Sequence, residues 1–259
     1  MAKPPTGPGS TGQDHHASRP NVFSFFQGGL RVDVAEAAGA DLGRGDLDVD
    51  MTGDRVWPVA TIFCRYLCAH PALVHGRKVL DIGAGTGLVG LVAAQLGADV
   101  TLTDVPRVLP LLELNVATAR TAGASGTLAA EARPLFWGDA AQIADLLAER
   151  GPYDVALCCE VVYQHAAEVS EALLSTLDAL LPNPGALLVF AYQHRDGAEI
   201  TDVHFFEGLR ALGFEPAERV PLSDWDDSWD DVECRWVWIH VRRGRDASPP
   251  NREPRTSAV

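Results

Sequence analysis

Residues 78–87, with the sequence KVLDIGAGTG, constrain the fold of this chain more than any other segment. An apolar run ends in the acid Asp81, and Gly83, Gly85 and Gly87 then alternate into an apolar helical pattern. Glycines are needed where a backbone turns sharply out of a strand and passes close to a ligand, because a Cβ would collide there. The segment therefore predicts a strand, a turn and a helix start that hold a nucleotide-like cofactor.

Strand-length apolar runs alternate with helical patterns along most of the chain. This alternation predicts an α/β protein, a doubly wound Rossmann-like sheet with helices on both faces. No helix separates the last two strands, so we expect them to form an antiparallel pair at one edge. Residues 23–34, with Gly28-Gly29 at their centre, predict an N-terminal β flap. The seven predicted strands of the sheet are residues 78–82, 99–103, 126–132, 153–159, 186–192, 214–221 and 234–241.

Length and composition favour one large domain. The chain has 259 residues, of which 47% are hydrophobic and 22% charged. We expect a domain over residues 21–242 between disordered tails at 1–20 and 243–259, because both ends are rich in polar residues and proline. The first tail lacks the apolar core of a secretory signal, and Cys158-Cys159 lie side by side in a predicted strand. We therefore expect a reducing compartment, the cytoplasm, with the nucleus as a second location.

Charge and hydropathy exclude several classes of partner. The net charge of −14 disfavours nucleic acid, which requires a basic surface. No apolar run approaches the roughly 20 residues that a membrane span needs. Cys64 and Cys68 share a helical pattern without further ligands at metal spacing, so we interpret them as buried thiols rather than a zinc site. The expected partner is a basic or neutral molecule, and no metal is predicted.

Two cofactor classes use a glycine turn of this kind. Residues 85–90 match G-x-G-x-x-G, the pattern of nicotinamide dinucleotide folds. In that fold, however, the first glycine directly follows the strand, which here is Gly83, and the third would fall at Leu88. An acid at the strand tip, Asp81, suits a cationic ligand and would repel phosphates. S-adenosylmethionine carries an ammonium and a sulfonium and no pyrophosphate, so we predict it as the cofactor.

Asp104 ends the next predicted strand, twenty-one residues after Gly83. A carboxylate at this point can accept hydrogen bonds from both ribose hydroxyls. An N-cap for the following helix is the alternative. Together with the glycine loop, the ribose role is favoured.

Four segments together resemble the seven-β-strand methyltransferases, and more narrowly the protein N-lysine methyltransferases of the methyltransferase-like 21 type. They are VWPVA at 56–60, the loop at 81–87, LTD at 102–104 and CEVVY at 159–163. The resemblance covers residues 56–242 and implies methyl transfer from S-adenosylmethionine to a lysine amine of a protein. Its site residues carry over as Trp57 flanking the cofactor, Gly83, Ala84 and Gly85 cradling its methionine part, Asp104 on the ribose, Trp137 near the adenine and Cys159 contributing backbone. For Trp57 and Trp137, packing in the core is the alternative.

The predicted catalytic residues are Glu160 and Tyr163. A lysine amine, with a pKa of about 10.4, must lose a proton before it attacks, and a carboxylate and a phenol can orient it and receive that proton. Family members carry Asp-x-x-Tyr here, so the extra methylene of Glu160 moves the carboxylate by about 1.5 Å. A helix-start acid and a packing tyrosine are the alternatives, and His165 and His194 are weaker candidates for the base.

Residues 224–233 contain six acids and two tryptophans. An exposed loop of this composition would attract a Lys-bearing protein substrate, and a solvated edge loop is the alternative. Two other functions remain open at this stage. The departure at Glu160 motivates a small-molecule N- or S-methyltransferase, and the acidic loop motivates a cofactor-binding interaction protein without turnover.

Overall fold

A computed structural model describes residues 21–37, 49–122, 128–162, 166–193, 199–221 and 237–243. Both predicted tails, apart from Arg243, lie outside these residues. The strands are β1 (Asn21–Gln27), β2 (Leu30–Glu36), β3 (Lys78–Ile82), β4 (Asp99–Asp104), β5 (Ala130–Pro134), β6 (Val155–Cys159), β7 (Leu187–Gln193), β8 (Glu215–Pro221) and β9 (Val237–Arg243). The α-helices are α1 (Pro58–Ala69), α2 (Leu88–Gln95), α3 (Leu109–Ala122), α4 (Ala140–Arg150), α5 (Ala167–Leu180) and α6 (Glu199–Ala211), and short 3₁₀ helices cover Val49–Asp54 and Pro71–Leu73.

Seven strands form one sheet in the order β5-β4-β3-β6-β7-β9-β8. Strands β5, β4, β3, β6 and β7 are parallel, and β9 lies antiparallel between β7 and β8. The predicted α/β sheet with an antiparallel last pair is confirmed. Strands β1 and β2 form a separate antiparallel ribbon with the register Asn21↔Glu36 to Gln27↔Leu30, which is the N-terminal flap.

The central strands of the sheet are buried on both faces. Val79 of β3 belongs to a core with α1, α2 and α3, whereas Leu80 and Ile82 belong to a second core with α4, α5 and α6. Continuous burial explains why the central strands are apolar runs rather than alternating patterns. Helix α6 begins at Glu199, six residues before the predicted start at 205.

The position of the site follows from the strand order. From β3 the chain moves outward through β4 and β5, and β6 then lies on the other side of β3. The connections therefore diverge between β3 and β6, and ligands of open α/β sheets bind at the carboxyl ends of the strands at such a point. Residues 83–87, 104–105 and 160–161 follow β3, β4 and β6 at this edge. Within the part of the chain that the structure describes, no helix is long and apolar enough to cross a membrane.

Candidate active site

The glycine loop between β3 and α2 uses left-handed backbone at alternate residues. Gly83, Gly85 and Gly87 have φ angles of +66°, +55° and +84°, a region that L side chains rarely adopt. A Cβ at Gly83 would lie 2.9 Å from Val161 Cγ1. Ala84 donates its N–H to the carbonyl of Thr103 on β4 at 2.9 Å. The alternating glycines thus reflect both backbone conformation and the close approach of the segment after β6.

Asp104 holds the loop through its side chain. Its Oδ2 accepts the N–H of Gly85 at 2.7 Å, and its Oδ1 accepts the N–H of Val105 at 2.8 Å. Burial raises the pKa of this carboxyl, and the two N–H donors act in the opposite direction. Helix α3 begins at Leu109, so Asp104 is not its N-cap. A carboxylate offers about four acceptor positions, which leaves capacity for two hydroxyls.

Asp81 lies beneath the loop. Its side chain is 1% exposed, and its Oδ2 accepts the N–H of Gly90 in α2 at 2.8 Å. A Cβ on Gly90 would come within 2.7 Å of that oxygen. Burial raises the pKa of Asp81 to about 7. The glycine that completes the literal G-x-G-x-x-G match therefore makes room for a carboxylate of the protein itself.

Trp137 borders the same loop from the strand β5 side. It is half-buried, and its Cζ2 lies 3.4 Å from the position of a Cβ on Gly83. The next residue, Gly138, donates its N–H to Thr176 Oγ1 of α5 at 2.8 Å. Phe136 is 49% exposed beside them. An aromatic wall thus adjoins the first glycine of the loop.

Trp57 lies at the N-terminus of α1, where Pro58 occupies the first turn. Its indole Nε1 donates to the carbonyl of Thr52 at 2.9 Å, and the Arg55 guanidinium lies 4.9 Å from the ring centre. This tryptophan therefore anchors the 3₁₀ segment Val49–Asp54. It is half-buried rather than part of the core.

The segment Val49–Asp54 rests directly against the glycine loop. The carbonyl oxygen of Gly53 lies 3.3 Å from the position of a Cβ on Gly85. The Asp54 carboxylate accepts Arg107 Nη1 at 3.0 and 3.1 Å. Sequence reasoning missed these residues, and the only available signal was the Gly-Asp pair shortly before Trp57.

Glu160 follows β6 in an unusual conformation. Among the described residues it alone combines a side chain other than glycine with a positive φ, +56°. Its side chain is 9% exposed, and its N–H bonds the carbonyl of Ala191 at 2.9 Å. Left-handed backbone costs an L-residue about 1–2 kcal/mol, and such strain is concentrated at functional sites. Burial, with the nearby Glu160, raises the pKa of the Cys159 thiol well above its usual range.

Several sequence candidates lie outside the described residues: Tyr163, His165, His194 and the acidic segment 224–233. The structure brings the others to one edge: Asp81, Gly83, Ala84, Gly85, Gly87, Asp104, Trp57, Trp137, Cys159 and Glu160. Within the described ranges, no group of three or more His, Cys, Asp or Glu side chains has the arrangement of a metal site.

Comparisons with known proteins find lysine methyltransferases among the relatives of this chain. The chain is similar to EEF1A lysine methyltransferase 3 of Mus musculus, with 37% identity over 201 residues that cover 77% of this chain and 76% of the relative. It is 38% identical over 125 residues to protein N-lysine methyltransferase METTL21A of Danio rerio, across 48% of this chain and 54% of that protein. The latter match thus spans about half of the relative's length.

A solved structure supports the fold. Magnesium protoporphyrin IX methyltransferase (ChlM) from Synechocystis PCC 6803, with bound SAH, superposes with a TM-score of 0.52 at 17% identity. The match covers 78% of this chain and 90% of that structure.

These comparisons define the class of the protein as an S-adenosylmethionine-dependent methyltransferase. A family profile described as lysine methyltransferase matches residues 45–211. The chain belongs to this lysine methyltransferase family. The cofactor, the fold and the family inferred from the sequence are thereby confirmed.

Proposed function

We propose that this chain methylates a lysine side chain of a protein at the carboxyl ends of β3, β4 and β6. The observation that carries this assignment is the buried Glu160, held in left-handed backbone directly after β6. The next residue, Val161, contacts the cofactor loop at Gly83. A carboxylate is thus built in beside the cofactor loop at the cost of backbone strain.

The protein's residues fit the cofactor. Asp104 retains acceptor capacity for the ribose hydroxyls, and the left-handed Gly83 and Gly85, with Ala84 between them, turn the backbone sharply out of β3 as a cofactor loop requires. When bound, S-adenosylmethionine supplies a methyl group already activated by the positive sulfur. Gly87 starts α2.

The flanking residues complete the proposed cofactor site. Trp137 provides flat apolar area for the adenine, and Trp57 flanks the site through the segment it anchors. Cys159 contributes backbone at the end of β6. Asp81 acts from below by holding Gly90 in the first turn of α2.

In the proposed mechanism the chain keeps the lysine amine neutral and aligned. Glu160 orients the amine and receives its proton, directly or through water, and Tyr163 assists through its phenol. Desolvation in a buried channel lowers the pKa of an amine and favours the neutral nucleophile. The same carboxylate therefore has to stay close to the amine without being exposed to bulk water.

The proposed partner is a Lys-bearing protein segment rather than a nucleic acid. The net charge of −14 attracts basic segments and repels phosphates. Two relatives are named as EEF1A lysine methyltransferases. Purified EEF1A is therefore the first candidate substrate to test. A location in the cytoplasm, a single methyltransferase domain over residues 21–242 and disordered tails remain parts of the proposal.

The test is transfer of a tritiated methyl group from S-adenosylmethionine to total lysate protein, followed by mass spectrometry of the labelled band. Wild type should yield methyl-lysine. Asp104→Asn should abolish labelling by weakening cofactor binding, and Glu160→Gln and Tyr163→Phe should lower it at saturating cofactor. Asp145→Asn, the same chemical change at an exposed position of α4, should leave labelling intact. Labelling of small amines or thiols with no protein band would refute the proposed substrate class.

A further inference from the structure

Asn115 of α3 is a buried polar residue that the mechanism above does not use. Its side chain is 1% exposed. Its Oδ1 accepts the N–H of Ala35 at 2.7 Å, while its Nδ2 donates to the carbonyls of Ala35 at 3.0 Å and Thr86 at 2.8 Å. Both amide hydrogens and one acceptor position of the side chain are therefore used. A buried amide with three hydrogen bonds is costly to replace, because its removal leaves backbone groups without partners.

The two bonds to Ala35 attach the flap to the methyltransferase core. Ala35 lies in β2, opposite Val22 of β1. Asn115 gives Ala35 the donor and the acceptor that a further strand would supply. The side-chain amide thus pairs with the backbone of β2 as a neighbouring strand would. Helix α3 also packs against β2.

The third bond fixes the cofactor loop. Thr86 lies between Gly85 and Gly87, both of which have positive φ, so the orientation of its carbonyl defines the turn. Its side chain is buried. Asp104 restrains the same loop from β4 through the N–H of Gly85. Asn115 is therefore the link between the flap and the loop that is proposed to cradle the methionine part of the cofactor.

A second connection runs in parallel from the end of the flap. Ala37 donates its N–H to the carbonyl of Asp54 at 2.9 Å, and Glu36 Oε1 accepts the N–H of Val56 at 2.7 Å. Asp54 also binds Arg107, and the preceding Gly53 contacts the loop. Two independent routes thus lead from β2 to the glycine turn.

We propose that Asn115 is a positioning residue that couples the flap to the cofactor loop, so that cofactor binding and attachment of the flap reinforce each other. Coupling of this kind is reciprocal: the free energy by which the attached flap favours cofactor binding equals that by which cofactor favours flap attachment. The proposal rests on the proposed cofactor site. It adds a function for the flap, which is to stabilise the loop rather than only to cover the core.

The test combines calorimetric titration with S-adenosylhomocysteine and hydrogen exchange of the flap amides, residues 21–37. In wild type, saturating S-adenosylhomocysteine should slow exchange in both the loop and the flap. Asn115→Ala should raise the Kd about tenfold, within the usual range of 5- to 150-fold for coupled sites, and should reduce the ligand-induced protection of the flap while the loop stays protected. Val116→Ala, which removes neighbouring buried volume from the same helix, should keep the wild-type Kd and the wild-type protection of the flap.

If Asn115→Ala does not fold, Glu36→Ala removes one of the two hydrogen bonds of the parallel connection and should reduce flap protection in the same titration. Equal Kd values and equal flap protection in the Asn115→Ala and Val116→Ala proteins would overturn the positioning role while leaving the proposed function intact. For Glu36→Ala, unchanged flap protection would likewise count against coupling. Failure of wild type to bind S-adenosylhomocysteine would instead overturn the cofactor site and the inference together.

Discussion

The Glu160 carboxylate is held in place by an unfavourable backbone conformation. Its φ of +56° is unfavourable for any residue with a Cβ, and its side chain is buried. The family resemblance predicts Asp at this position, and the Glu side chain is longer by one methylene. Since Asp tolerates left-handed backbone better than most residues, Glu160→Asp relieves backbone strain and shortens the reach of the carboxylate at the same time.

We predict that Glu160→Gly keeps or raises the free energy of unfolding, by up to about 1 kcal/mol, and lowers kcat about 100-fold. Glycine removes the left-handed strain, and the catalytic carboxylate disappears with it. Chemical denaturation and the methyl-transfer assay measure the two effects. Glu160→Gln keeps the strain and serves as the control for stability. A clear loss of stability with unchanged kcat would show that Glu160 is a packing residue.

Asp81 should make stability depend on pH. Its pKa is about 7 in the folded protein and near 3.8 when unfolded, so the folded state holds the extra proton between these values. The stabilisation of the folded state by the proton on Asp81 is complete below about pH 4. It falls as the pH rises towards 7, by at most about 1.4 kcal/mol per pH unit.

We therefore predict that Asp81→Asn flattens the fall in stability between pH 4 and 7, because asparagine can still accept the N–H of Gly90 through its side-chain oxygen without carrying a charge. Urea denaturation at several pH values gives the slope, and Asp145→Asn is the exposed control. Parallel curves for wild type and Asp81→Asn would contradict the assignment of this titration.

At the scale of elements, the glycine loop is the feature that the sequence predicts most completely. We predict that Gly83→Ala weakens S-adenosylhomocysteine binding more than tenfold, because the new methyl meets Val161 at 2.9 Å in left-handed backbone. Gly76→Ala is the matched control. Gly76 has a φ of +69°, yet a Cβ there would meet nothing within 4 Å. It should cost about 1 kcal/mol of stability and leave calorimetric affinity unchanged. Equal affinity losses in the two variants would refute the cradle.

The strands and the loop were predictable because their signals are local. Strand β3 matched its predicted bounds, residues 78–82, and the alternation of glycines gave the left-handed turn. Arg107 and Asn115 were not predictable in the same way. Their partners lie 53, 80 and 29 residues away, and only the folded chain brings such groups together. The direction of the Asp81 side chain, towards Gly90, likewise depends on how α2 packs on β3.

At the scale of the whole molecule, the proposed methyltransferase site lies where the connections after β3 and β6 diverge, and a separate flap is attached beside it. The parallel strands bring Asp104, the glycine loop and Glu160 to one edge. Hydrogen bonds from Asn115 and Glu36 connect the flap to that edge. We expect truncation before residue 38 to reduce cofactor affinity as well as stability, and calorimetry on the truncated chain checks it.

A crystal structure of the protein with S-adenosylhomocysteine is the decisive measurement for the proposed site. We predict ribose hydroxyls within about 3.2 Å of the Asp104 carboxylate, the amino-acid part against Gly83–Gly85, and the sulfur facing the Glu160 side. Ligand bound at the opposite edge, near Arg77 and Asp154, or ribose without a bond to Asp104, would contradict it.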